Sequence, residues 1–79
     1  MTSTSAAYAQ AIAAELRAER ARQMLTFNEL VERTGISKSA VLNYLNGKRD
    51  IPLRALASIC LVLGVQPSVI AERAENTLR

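Results

Sequence analysis

The sequence predicts an all-α fold, a bundle of five helices forming one domain. Three observations point there. No run shows sustained period-2 alternation, and aromatic residues are only 4% of the chain, so strands have little support. Helix-length segments recur between Gly, Pro and Ser/Thr punctuation. Hydrophobic residues at 49% and charged ones at 22% give an ordinary globular balance, and 79 residues make one domain rather than two.

Residues 1–5 read as a disordered polar tail, and residues 6–79 as the domain. The first helix runs from about Ala6 to Gln23. Tyr8, Ile12 and Leu16 form its apolar stripe, with Ala9 and Ala13 beside it. Thr26 is placed as the N-cap of a second helix, with Glu29 three residues on to complete a capping box and Leu25 able to pack on Leu30. Leu30, Val31 and Thr34 continue the inner face, and Gly35 ends the helix. Ile36 alone separates Gly35 from Ser37, a good N-cap for a third helix. That helix turns Val41, Tyr44 and Leu45 inward and ends at Asn46-Gly47. Lys48-Arg49-Asp50-Ile51 is a short basic connector. Pro52 suits the first turn of a fourth helix, whose buried face is Leu53, Leu56, Ile59, Cys60 and Leu63. Gly64 closes it, with Val65 placed for the apolar contact that follows a Gly cap. Pro67 starts a fifth helix that turns Val69, Ile70 and Ala74 inward.

Composition excludes several chemistries. The chain has no His and a single Cys, which removes a His-based catalytic dyad, a Cys/His zinc site and an internal disulfide. No enzyme activity, metal, cofactor or small-molecule ligand is therefore expected, and Cys60 is read as a small buried hydrophobe. No run approaches roughly 20 apolar residues, so no membrane span is expected. The first residues lack the basic start and apolar middle of a signal peptide, which makes the cytoplasm the expected location.

The net charge of +3 is unevenly placed. Residues 1–35 balance to zero, as do residues 55–79. Residues 36–54 hold Lys38, Lys48, Arg49 and Arg54 against Asp50, which is the whole excess. A basic segment on a small domain suits an anionic partner such as nucleic acid.

The second and third helices, over about residues 26–46, are joined through a Gly-containing turn, as in a helix-turn-helix. Such a joint holds the second of the pair proud of the domain, where it can enter the major groove of DNA. Leu25-Thr26-Phe27-Asn28-Glu29-Leu30, Gly35-Ile36-Ser37-Lys38-Ser39-Ala40-Val41, Leu45-Asn46-Gly47-Lys48-Arg49 and Leu63-Gly64-Val65 resemble the phage-repressor and Cro-like (Xre-type) helix-turn-helix family. The resemblance covers residues 8 to 71. It implies a lambda-repressor-like DNA-binding domain in the bacterial cytoplasm or nucleoid. The implied function is sequence-specific binding of double-stranded DNA, as a repressor or Cro-like phage or bacterial transcription regulator.

The resemblance makes the third helix the recognition helix. Lys38 can donate to guanine, Asn43 can pair with adenine, Ser39 can reach a base edge, and Leu42 can meet a thymine methyl. Ser37 can cap the helix and still reach a phosphate. Asn46, Gly47, Lys48 and Arg49 form the corner that approaches the sugar-phosphate backbone, and Arg54 lies one turn on.

The sequence departs from the family at three places. Phe27 stands where members often carry a Gln that touches the backbone, and it is expected to cover the core edge or press on sugar. Arg20 matches an Arg that usually pairs with a Glu late in the recognition helix. That position is Leu45 here, so Arg20 must find Glu19, Glu29, Glu32 or water. Val31 fills a place usually held by Ala and should widen the helix crossing slightly.

Leu61 and Val62 carry the apolar run of the fourth helix round its outer side, where members tend to be polar at the place of Leu61. They form a candidate face for a homodimer, which would suit an inverted-repeat operator. The competing cover is residues 72–79 folding back to lay Leu78 on Leu61. No ligand-binding or self-cleaving domain follows in the 79 residues, so control by a bound metabolite is not expected. Two other functions fit the same fold: a protein-interaction module of antitoxin or phage exclusion type, and an architectural factor in recombination or excision.

Overall fold

The computed structural model describes residues 4–79. Among them are five helices and no strand: α1 (Thr4–Arg22), α2 (Phe27–Thr34), α3 (Lys38–Leu45), α4 (Leu53–Leu63) and α5 (Pro67–Thr77). Part of the tail expected over residues 1–5 lies outside the described residues. Thr4 and Ser5 are already helical, so α1 begins two residues before the expected start at Ala6.

Each helix contributes to one core. Leu16, Leu30, Val41, Leu45, Ile59, Cys60 and Ile70 are fully buried, and each Leu or Ile so placed is worth roughly 1.5–3 kcal/mol. Long α1 is the common partner: α5, α3 and α4 all pack on it, and α2 bridges α3 and α4. On α1, Ala11 and Ala13 flank the stripe of Ile12 and Leu16 in the buried set, while Ala9 is only half-buried.

Leu53 departs from the expectation of burial. It is 82% exposed, and Ala55 is buried in its stead. Pro52 is the N-cap and Leu53 the first helical residue, one step later than expected. At about 100° per residue, Leu53 stands roughly 90° from the middle of the face formed by Ala55, Leu56, Ile59, Cys60 and Leu63. Val62 lies on the opposite edge of that face and packs against the core. Leu61, by contrast, is 83% exposed. The C-terminal segment does not cover it. Leu78 sits beside Thr4, Ser5 and Tyr8 at the start of α1, lining a groove with Glu75 and Arg79.

Polar side chains of α1 and of the turn after it tie the far helices down. Gln23 Nε2 donates to the carbonyl of Leu63 at the end of α4, at 2.5 Å. Glu19 accepts from Gln23 and Arg22 at 2.9 Å and from Arg73 of α5 at 2.7 Å. These donors, Gln23 first, hold the Glu19 carboxyl down from its ordinary 4.5 to about 2. The charged form is thus favoured in the folded chain. Its stabilisation is complete above the ordinary value and is lost as pH falls through about 2. Both Arg partners face solvent in part, which screens the pairing. Glu19→Gln should therefore cost about 1–2 kcal/mol at pH 7. The gap to the parent chain should close as pH falls from about 5 towards 2. Thermal melts at a series of pH values test this, and a gap independent of pH would exclude the charge as its source.

Candidate nucleic-acid interface

The joint between α2 and α3 is fixed at each end by side chains the sequence supplies. Glu29 N–H donates to Thr26 Oγ1 at 3.0 Å, and Thr26 N–H donates to Glu29 Oε1 at 3.1 Å, a full capping box. These bonds, the backbone one first, hold the Glu29 carboxyl below its ordinary value. Leu25 and Leu30 are both buried beneath them. At the other end, Gly35 takes the left-handed conformation, φ 73°, and its N–H returns to the carbonyl of Val31. The Thr34 hydroxyl donates to Leu30 O at 2.7 Å and accepts from Ile36 N–H at 3.2 Å, bracing the turn. Ser37 Oγ then accepts from Ala40 N–H at 3.3 Å and starts α3.

The far end of α3 closes as tightly. Lys48 N–H returns to Asn43 O at 2.9 Å and Gly47 N–H to Tyr44 O at 3.2 Å, with Gly47 at φ 72°. This is a Schellman motif. Asn46 and Arg49 N–H are likewise engaged, with Leu42 O and Asn43 O. The main-chain donors of residues 46–49 are therefore used inside the chain. What this corner offers a phosphate is the side chains of Asn46, Lys48 and Arg49, and Gly47 serves the conformation.

Val41 and Leu45 bury one side of α3, with Tyr44 half-buried at its edge. Opposite them, Ser39, Leu42, Asn43 and Asn46 fall at i, i+3, i+4 and i+7 and form one outward stripe. Ser39 and Asn46 are exposed, while Leu42 and Asn43 are half-buried. Lys38 is exposed in the first turn, beside this stripe rather than on it.

The charges around α3 stand apart from the rest. Arg22 and Arg73 pair with Glu19, Arg33 faces Glu29 at 3.7 Å, and Arg17 and Arg20 donate to carbonyls. Among the described residues, Lys38, Lys48, Arg49, Arg54 and Arg79 have no acidic or hydrogen-bonding side-chain partner. Four of these five lie on α3 or follow it, and all four are exposed.

Arg20 pairs with none of the three acids expected for it. Nη1 donates to Leu25 O at 2.8 Å, the guanidinium lies 4.4 Å over the Phe27 ring, and Nε is buried without a hydrogen-bond partner. The missing ion pair leaves the cation to a carbonyl and a ring face. Phe27 is half-buried and packs against the core, and Val31 does the same. Among the described residues no group of three or more His, Cys, Asp or Glu is placed to hold a metal ion, and no single helix is long and apolar enough to cross a membrane.

The helix-turn-helix domain family matches residues 11–73. The chain belongs to that family. Its fold is also similar to two crystal structures of the clp gene regulator ClgR from Corynebacterium glutamicum. One is 27% identical with a TM-score of 0.83, covering 89% of this chain and 74% of that one. The other is 26% identical with a TM-score of 0.84, covering 91% and 94%. No curated protein sequence gives a significant match.

Two residues of the site escaped the sequence. Gln10 Nε2 donates to Gly47 O at 2.7 Å, and Arg17 Nη1 donates to Leu45 O at 2.5 Å. No local pattern marks a bond spanning 37 or 28 residues. The two glycines of the site differ in the same respect. A Cβ on Gly35 would meet nothing within 4 Å, whereas one on Gly47 would run into the Gln10 amide. Gly35→Ala should cost about 1 kcal/mol, the net of left-handed strain against reduced freedom of the unfolded chain. Gly47→Ala should cost more. The excess should vanish when Gln10→Ala is made first. Denaturant titration of the four variants measures this, and an excess that survives loss of Gln10 would rule out that contact as its cause.

Proposed function

We propose that the chain is a transcription regulator that binds double-stranded DNA in a sequence-specific way, as a repressor or Cro-like factor, with α3 in the major groove. The observation that carries this reading is the set of unpaired exposed cations around an outward polar stripe on the second helix of the helix-turn-helix. Lys38, Ser39, Leu42 and Asn43 read bases, and Asn46 extends their stripe. Ser37, Lys48, Arg49 and Arg54 meet phosphates, with Gly47 shaping the corner. The likeness to ClgR, a gene regulator, supports the same class.

A gel shift on duplex fragments across salt concentrations tests the class, since a protein-only module would bind no DNA even at low salt. Within it, Lys48→Ala and Arg49→Ala should weaken specific and random binding alike, each flattening the salt slope by about one. Lys38→Ala and Asn43→Ala should cost roughly 1–3 kcal/mol on the selected site and much less on random DNA. A selected consensus unchanged by loss of both Lys38 and Asn43 side chains would refute their base-reading role.

The reading extends to a homodimer on the outer side of α4. Leu53, Ala57 and Leu61 fall at i, i+4 and i+8 and are all exposed, while Val62 belongs to the core edge. Hollows of about 420 and 450 Å³ flank this stripe, the first lined by Tyr8, Leu56 and Pro67 and the second by Cys60, Val65 and Pro67. Projecting leucines beside hollows, with Arg54 at the rim of the same side of α4, suit a two-fold contact with a second copy. Such a pair would place its recognition helices about 34 Å apart on an inverted repeat. Leu61→Glu should give a folded monomer by sedimentation, with weakened binding to a two-half-site duplex. A parent chain monomeric at micromolar concentration with and without DNA would end the dimer reading.

A further inference from the structure

We infer that Gln10 and Arg17 of α1 are positioning residues for DNA reading: they set the pitch of α3 and the place of the basic corner without touching DNA. The inference rests on the DNA-binding reading above. The two residues stand seven apart, within about 20° of one another around α1. From that one face, they donate to the carbonyls of Leu45 and Gly47, which straddle Asn46 at the end of the outward stripe. In a continuing helix the Leu45 carbonyl would accept from the N–H of Arg49. That N–H turns instead to Asn43 O, and Arg17 takes its place.

Contact at the corner is close as well as polar. The Gln10 amide lies against the bare α-carbon of Gly47, so a Cβ there would push that side chain aside. Elsewhere α3 is held by the three-residue joint at its start and by the burial of Val41 and Leu45. Apolar burial holds a short helix down but is non-directional. The two α1 bonds are directional, and they fix both ends of the corner that carries Lys48 and Arg49. A guanidinium at the C-terminal end of α3 also offsets the partial negative charge that would otherwise face an approaching phosphate. With Leu45 in place of the acid that the family resemblance implies, Arg17 supplies the tie between α1 and α3 that Arg20 does not. A reading surface must be held to about 0.5 Å and 10–20° to work.

The test uses the full chain, a duplex selected by it from a random library, and a random duplex. Binding is followed by fluorescence anisotropy from roughly 50 to 200 mM salt. Circular dichroism sets a temperature at which each variant is folded. Arg17→Met should weaken the selected site about tenfold and the random duplex less than about twofold, with the salt slope unchanged. Arg17→Lys, which keeps one donor, should recover part of the loss. Gln10→Ala, at an exposed position, should show a smaller shift of the same kind and carries the test if Arg17→Met does not fold. A slope flatter by about one would make Arg17 a phosphate contact and overturn the inference. So would equal losses on both duplexes, or no loss in a folded variant. A parent chain that selects no duplex sinks the DNA-binding reading itself, and this inference with it. A parent that selects one, with variants that match it, sinks this inference alone.

Discussion

A helix that stops leaves its last carbonyls without amide partners, and a small domain of short helices must supply donors from elsewhere. Here the supply comes from α1 and the turn that follows it. Gln10, Arg17, Arg20 and Gln23 donate in turn to Gly47, Leu45, Leu25 and Leu63. Those acceptors sit at the ends of α3 and α4 and in the loop before α2. The long first helix and the turn after it therefore close the ends of α3 and α4. The hydrophobic core brings the helices together, but these bonds choose among the arrangements that would bury the same area. The α2–α3 joint owes its fixed angle to its own caps and its fixed place in the molecule to α1.

The same arrangement sorts the cations. Arginines on the α1 side are consumed by structure, in carbonyl bonds, on the Phe27 ring or around Glu19. A planar, permanently charged fork suits such work. Cations on the α3 side are left with nothing to pair with. A net charge of +3 understates the proposed interface, because most of the remaining cationic side chains in the chain are internally engaged. What an anionic partner meets is the remainder, and apart from Arg79 at the C-terminus it lies on and just after α3.

Local chemistry made much of this legible in the sequence. Thr26 with Glu29, Gly35, Ser37 and Gly47 act within a few residues of themselves, so their roles follow from spacing, and the structure places each in its expected cap or turn. The apolar stripe of α1 and the burial of Cys60 were equally plain. Long-range polar contacts were not. Nothing in the pattern around Gln10 or Arg17 distinguishes them from solvated residues of an Ala- and Glu-rich helix. Arg20 misled because acids nearby in sequence suggested ion pairs, while the geometry brought a carbonyl and an aromatic ring closer. Leu53 misled for a simpler reason. It opens α4 beyond the edge of the buried face, and apolar character alone does not say on which side of a first turn a residue falls. Its exposure, with that of Leu61, is also what joins two isolated leucines into one stripe.

The two helices of the helix-turn-helix are only eight residues each. Helices of two turns do not persist alone in water, because nucleation costs more than so few bonds return. α3 thus has no existence apart from the packed domain, and α1 closes its end. Local fraying, which loosens many binding loops independently of their scaffold, has no separate route here. The surface that α3 presents is gained and lost with the whole molecule, in one cooperative step. Heating or a destabilising change in the core would lower the number of folded molecules and leave the α3 surface of those that remain unaltered.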